Sequence, residues 1–257
     1  MGYWQDRMAQ TLSRLTNKSV RQTAKQIKKY YADTMEKTIA DFEATYNKIL
    51  AATEEGRTPT PADLYKLDKY WQTQAQLRKE LRKLGDRQIV LLSKQFELNF
   101  FEIYYSIGLP GDVAFNTLDA SAVQQMINAI WCADGKSWSQ RIWQNNELLA
   151  ATLNEELIHC VATGKKTTEL KKILQERFNV SYGNADMLVR TEMAHIQTQA
   201  AQKRYEDAGV QEVEIWADED ERRCEVCGEL HQKRYPMGSA VPIPAHPRCR
   251  CCIVPVI

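Results

Sequence analysis

The stretch CEVCGELHQKRYPMGSAVPIPAHPRCRCC, Cys224 to Cys252, holds five of the chain's seven cysteines and two of its four histidines. Cys224 and Cys227 form a C-x2-C pair, and His246 and Cys249 an H-x2-C pair. Two ligands two residues apart on a tight turn can face one ion, and a second pair brought back by a β excursion completes a tetrahedron. We therefore expect zinc on Cys224, Cys227, His246 and Cys249. Cys251 and His231 stand in reserve, because Cys249 and Cys251 point to the same side of an extended chain and Cys252 to the other. Gly228 is expected to turn the chain after the first pair. Pro242, Pro244 and Pro247 are expected to hold the return segment extended. Four good ligands leave no open coordination position, so a structural ion is favoured over a catalytic one. A redox role for C-x2-C lacks the strand-to-helix setting of a thioredoxin. The acidic run from Asp218 to Glu221 reads as a solvated loop.

The residues around this stretch are β-branched and aromatic. VEIWA (213–217), KRYPM (233–237) and RCCIVPV (250–256) read as three short strands. Everything before Gly209 reads as helix. No proline or glycine interrupts the run from Tyr3 to about Ala52, and Met35, Ile39, Phe42, Tyr46 and Ile49 recur on one helical stripe. Before Tyr30 that stripe weakens into small polar and basic residues, as in a helix that needs a partner to cover it.

Gly56, Pro59 and Pro61 mark a loop. Thr60 is then an N-cap, with Pro61 at the first helical position and Asp63 at the third. The helix that follows turns Leu64, Leu67, Trp71 and Leu81 inward, with Gly85 expected to end or bend it. The run 86–107 is helical again and stops at Gly108 and Pro110. PGDVAFNTLDAS (110–121) is a second loop and a domain boundary. Helices are expected over 120–131, 137–163, 168–178 and 184–208. Ser137 and Thr167 serve as N-caps and Gly164 as a C-cap. Trp131, Trp138 and Trp143, with Cys132 and Cys160, read as core. His159 is not expected to be a ligand. Glu192, His195 and Gln199 share one helical face, read as a polar seam packed against the zinc unit with Arg190 and Glu192 in buried ion pairs.

The fold class that results is mainly α. An extended N-terminal helical region (1–110) precedes a helical C-terminal body (111–257), which carries a zinc-stabilised β unit at 210–257. The net charge is +1, so the whole molecule does not attract nucleic acid. Between Met1 and Lys29, however, seven basic residues face Asp6 alone. Arg14, Lys18, Arg21, Lys25, Lys28 and Lys29 are the candidate contacts to DNA or to an acidic protein surface. No apolar run follows the first charges, so no signal peptide is expected, and no stretch is long enough to cross a membrane. A cytosolic origin disfavours disulfides and favours metal for clustered cysteines. There is no P-loop, G-x-G-x-x-G, G-x-S-x-G or H-E-x-x-H motif.

Several separated motifs resemble those of phage head morphogenesis proteins, the Mu F-like minor head or minor capsid family. That family's C-terminal module shows R-T-E on a helix, a strand ending in tryptophan, then D-x-R-T-C-x-x-C and H-P-x-C-R-C. Here the matching residues are Arg190, Thr191, Glu192, Trp216, Asp220, Arg222, Cys224, Cys227, His246, Pro247, Cys249, Arg250 and Cys251. Arg223 stands where the family usually has threonine, which makes the local loop more basic. The resemblance covers roughly 138–257.

It implies a non-enzymatic protein, made in the bacterial host cytoplasm and carried in the virion, in the capsid interior or at the portal vertex. Its implied partners are the portal protein and the procapsid or scaffold components. Its implied work is head assembly, DNA packaging or DNA delivery. Two other readings stand beside it. One is a zinc-containing protein that binds double-stranded DNA through the basic first helix. The other is a zinc hydrolase or nuclease. Some relatives are fused to toxin domains, for which this chain has no length to spare.

Overall fold

A computed structural model describes residues 3–109, 114–218 and 220–256. The elements follow in the order α1 (Tyr3–Ala52), α2 (Pro61–Tyr65), α3 (Asp68–Ser106), α4 (Ala120–Asn128), α5 (Trp138–Thr163), α6 (Thr167–Asp207), β1 (Glu212–Trp216), α7 (Glu225–Leu230), β2 (Arg234–Pro236) and β3 (Cys252–Pro255). The chain is mainly helical, and no helix among the described residues is long and apolar enough to cross a membrane.

The chain forms two compact units. One gathers Met1–Ala24, Leu91–Trp138 and Met187–Ile257; the other gathers Lys25–Val90 and Ser139–Asp186. The division is spatial, and each unit gathers separate stretches of the chain. Residues 110–113 of the expected loop lie outside the described residues.

The second unit is all helix. Its core holds Phe42, Tyr46, Ile49, Leu77, Leu81, Leu84, Leu153, Leu157, Leu174 and Phe178. The C-terminal end of α5 is closed there as expected. Gly164 takes a left-handed φ of 62°, which costs glycine nothing, and the Lys165 N–H reaches back to the Cys160 carbonyl at 3.1 Å. The buried Tyr46 hydroxyl sits against the carbonyls of Cys160 and Lys165, so the orphan groups of that helix end are occupied.

Three expectations for this unit need correction. Gly85 does not end the helix, because α3 continues through it. A Cβ built there would lie under 3.0 Å from ring carbons of Trp143, so glycine is required by the close approach of an indole. Trp71 points out and is 57% exposed. The chain breaks at Lys66 and Leu67 between α2 and α3, which turns Tyr70 inward and leaves the Trp71 indole donating to the Tyr65 carbonyl at 2.9 Å. Residues 179–183 continue α6 without a break. The Asn145 side chain secures them, reaching Ser181 O and Ser181 Oγ, each at 2.9 Å. The capping box at Thr60 and Asp63 forms as expected.

The first unit packs the start of α1, the end of α3 and the end of α6 around Leu12, Phe96, Phe100, Ile103, Val189, Met193 and Tyr205. The weak stripe of α1 is buried after all. Its inward residues are Leu12, Thr16, Ser19, Val20, Thr23 and Ala24, small enough for close helix approach. Thr16 spends its hydroxyl on Gln197 Oε1 at 2.5 Å. Arg204 is fully buried. Its guanidinium donates to the carbonyls of Ile107 (3.2 Å) and Ala114 (3.0 Å) just past the end of α3, and lies 4.2 Å from the Phe115 ring centre. α4 stops at Asn128, three residues before the expected end, so Trp131 and Cys132 are only half-buried in a loop. His159, in the other unit, is exposed.

The sheet belongs to the first unit. Its order is β2-β1-β3, antiparallel throughout, with Val213 opposite Tyr235 and Trp216 opposite Cys252. β3 is buried along its whole length. The Tyr205 hydroxyl at the end of α6 donates to the Ile253 carbonyl at 3.1 Å, which fixes the sheet against that helix.

Candidate metal centre

Two turns deliver the sulfurs. Cys224 is the N-cap of α7, and its Sγ accepts the Cys227 N–H at 3.4 Å, so both thiols of the pair face one side of the first helical turn. Gly228 lies inside α7, not at a turn. The reversal comes later, at Gln232 with a φ of 63°. The second pair sits on the tight turn 246–249, where the Cys249 N–H bonds the His246 carbonyl at 3.1 Å and Arg248 takes a φ of 63°. The approach to that turn is bent, not extended: the Ile243 N–H donates to the Val241 carbonyl at 2.9 Å, and the Ile243–Pro244 peptide is cis.

The donor atoms converge. His246 Nε2 lies 3.2 Å from Cys224 Sγ and 3.1 Å from Cys227 Sγ, and Cys227 Sγ lies 3.8 Å from Cys249 Sγ. Two overlapping groups result, Cys224–Cys227–His246 and Cys227–Cys249–Cys251, each with its donors within 4.8 Å of one another. The buried Cys227 is common to both. His246 Nδ1 lies 2.9 Å from the Pro247 carbonyl. A carbonyl only accepts, so Nδ1 carries the proton and the Nε2 lone pair faces the sulfurs. Donors around a small tetrahedral ion with metal–sulfur bonds of about 2.3 Å stand about 3.5–3.8 Å apart. The donor set and spacing therefore fit a metal ion.

The electrostatics are uneven. The Cys249 thiol is held down at about 5, chiefly by its hydrogen bond with Cys251, whose own thiol is pushed far up by the same contact. The Cys227 backbone N–H lowers Cys224, while burial pushes Cys227 up to about 12. A cation at the centre supplies the stabilisation that buried thiolates need. His231 is in neither group. Its Nδ1 accepts the Ala217 N–H at 3.2 Å and its ring stands edge-on to Trp216. Cys252 faces away into the sheet, where burial raises its thiol.

A supporting clamp was not visible in the sequence. Arg250 lies between Cys249 and Cys251. It donates to Asp218 at 2.9 Å and takes both oxygens of Asp220, at 2.7 and 2.5 Å. The acidic loop after β1 is thus tied to the second ligand turn. Arg250 holds Asp220 well below the usual carboxylate range, while burial raises Asp218. The signal available was Arg250 itself, whose place between two cysteines sends its side chain away from the metal side. Glu219 lies outside the described residues.

The polar seam on α6 meets the same turn. Thr191 Oγ1 accepts the Arg248 N–H at 3.0 Å. Glu192 is buried and receives the Trp131 indole N–H at 3.0 Å. His195 is stacked on Trp131 with ring centres 4.3 Å apart, and burial lowers its pKa to about 4. The basic residues Arg14, Lys18, Arg21, Lys25, Lys28 and Lys29 are all exposed along α1.

A cysteine–histidine cluster beside a three-stranded sheet, bonded through its second turn to Thr191 of α6, makes a candidate metal site on a helical body. Residues 151–254 match the family model described as phage Mu protein F like protein, which supports the resemblance to phage head morphogenesis proteins over this segment. The chain is also similar to an NAD(+)–arginine ADP-ribosyltransferase, EFV, of Enterococcus faecalis (strain ATCC 700802 / V583). The two are 25% identical over 118 residues, which is 45% of this chain and 24% of the relative. The chain thus spans about a quarter of that relative's length. No solved structure matches.

Proposed function

We propose that this protein is a phage minor head protein that associates with the portal and assists procapsid assembly, DNA packaging or DNA delivery. The family match over 151–254 carries this reading. Its place is the virion, in the capsid interior or at the portal vertex. The Cys–His centre holds zinc through Cys224, Cys227 and His246, with Cys249 as fourth ligand and Cys251 behind it. Zinc there has a structural role, because four protein donors fill a tetrahedral coordination shell.

The protein is not an enzyme on this reading. The relative from Enterococcus is named for a transferase, but this chain corresponds to only about a quarter of it, and no activity is carried over.

Co-expression with the portal protein of the same phage, followed by affinity purification and a mass for the complex, tests the proposal. A defined complex is expected. A folded, zinc-loaded protein that leaves the portal untouched in solution and on procapsids would refute it.

A second reading rests on α1. Arg14, Lys18, Arg21, Lys25 and Lys28 follow one another at steps of four and three, which places them on a single exposed stripe with Lys29 beside it. Such a stripe suits contact with DNA phosphates at low salt.

A further inference from the structure

Within the first unit, the early turns of α1 and the end of β1 enclose a cleft of about 540 Å³. Arg14, Lys18 and Arg21 line one wall, with the polar Ser13 and Asn17 between them; Trp216 and Ala217 line the other. The cleft also contains two acids, and both are engaged. Asp6 accepts the Gln10 amide at 2.9 Å, and Asp218 is held by Arg250 at 2.9 Å. Lys18 is 3.3 Å from Glu102. Arg14 and Arg21 make no ion pair among the described residues, so against the single carboxylate of Asp6, whose charge the Gln10 amide leaves in place, two guanidinium groups keep the balance of the cleft positive. Across from them Trp216 is half-buried. Its backbone is paired to Cys252 and its ring is fixed edge-on by His231, 5.3 Å between centres at 82°.

A row of guanidinium groups facing an ordered indole is the arrangement that single-stranded nucleic acid uses. Phosphates follow the cations and a base stacks on the aromatic ring, which tolerates any sequence because every base has a π face. An exposed indole face can be stacked by an unpaired base, whose face is free, and not by a base pair still stacked inside a double helix. An acidic peptide would use the arginines but would gain nothing from the indole.

We propose that this cleft binds single-stranded nucleic acid, with Arg14 and Arg21 on phosphates and Trp216 under a base. The inference rests on the DNA-contact reading of α1 and narrows it to one strand at one place.

The test measures fluorescence anisotropy of a labelled oligothymidylate and of a labelled hairpin duplex against the full-length, metal-loaded protein across a salt series. Trp216→Leu, the pair Arg14→Gln with Arg21→Gln, and the pair Lys25→Gln with Lys28→Gln are compared with wild type, each checked for fold by circular dichroism. The single strand is expected to bind more tightly than the duplex. Trp216→Leu should weaken it about tenfold. The arginine pair should lower the salt slope by about 1.4, at about 0.7 per phosphate on a single strand. The lysine pair should cost distinctly less.

If Trp216→Leu fails to fold, the contrast between the arginine and lysine pairs decides alone. Duplex binding as tight as single-strand binding, or equal losses from the two pairs, overturns the cleft and leaves the stripe reading standing. Equal competition by polyglutamate overturns it as well. No binding of either nucleic acid at low salt overturns both.

Discussion

Tyr46 in the all-helical unit and Cys227 beside the sheet are both buried where separate segments of chain meet. Around Tyr46 the neighbours are large apolar side chains on long helices, and its hydroxyl only finishes a helix end that apolar packing already holds. Around Cys227 the neighbours are three more cysteines and a histidine, on turns next to strands of three to five residues. Strands that short are marginal without added support. One region draws its order from area removed from water, and the other from a few polar atoms that must meet at one point. The two should therefore fail differently.

The sharpest break comes at the cluster. With zinc bound as proposed, Cys227→Ser or chelation is expected to cost roughly 5 kcal/mol or more locally, because metal-binding energy in such modules is folding energy. Limited proteolysis should then cut within 210–256 while the segments 25–90 and 139–186 stay resistant. Loss of both regions together, or of neither after verified metal removal, would erase the contrast.

The seam between α6 and the ligand turn should respond to acid. Burial keeps His195 neutral, with its pKa lowered from 6.5 to about 4. The unfolded chain takes up a proton there that the folded chain refuses, so stability is complete above about pH 6.5 and falls as pH drops toward 4. It levels off below that. The whole span is about 3 kcal/mol. Urea unfolding at pH 7.5 and pH 5 measures it, and His195→Gln should flatten the difference relative to wild type. An unchanged profile in the variant would show that the loss comes from other groups.

The helical unit has its own weak point. Gly85→Ala should improve helix propensity by up to about 1 kcal/mol, yet the methyl meets the Trp143 ring. Overpacking is expected to win, for a net loss of about 1–2 kcal/mol seen as a lower midpoint in thermal unfolding. A more stable variant would mean the indole can step aside.

Much of this was legible in the sequence. The limits of α1 follow from an uninterrupted run without glycine or proline, and both ligand pairs follow from their spacing. The failures share a cause. Gly85 and the stretch around Gly183 looked like breaks, because a glycine demanded by a neighbouring ring and a glycine tolerated within a helix are the same letter. The buried stripe at the start of α1 was faint because threonine, serine and alanine serve equally on surfaces and in close helix contacts. Asp218 and Asp220 looked solvated, since only the fold brings Arg250 to them. The spacing alone also left six candidates for the centre, and the structure gathers five of them in two overlapping groups while setting His231 apart.

The contact between Gly85 and Trp143 also constrains how this chain can drift. A smaller residue at 143 leaves a gap that a relative can survive, and a side chain at 85 can then fill it. The reverse order begins with a clash. Relatives that carry a side chain at the position of Gly85 should therefore lack tryptophan at the position of Trp143, and the two sites should exchange as a pair with the ring changing first.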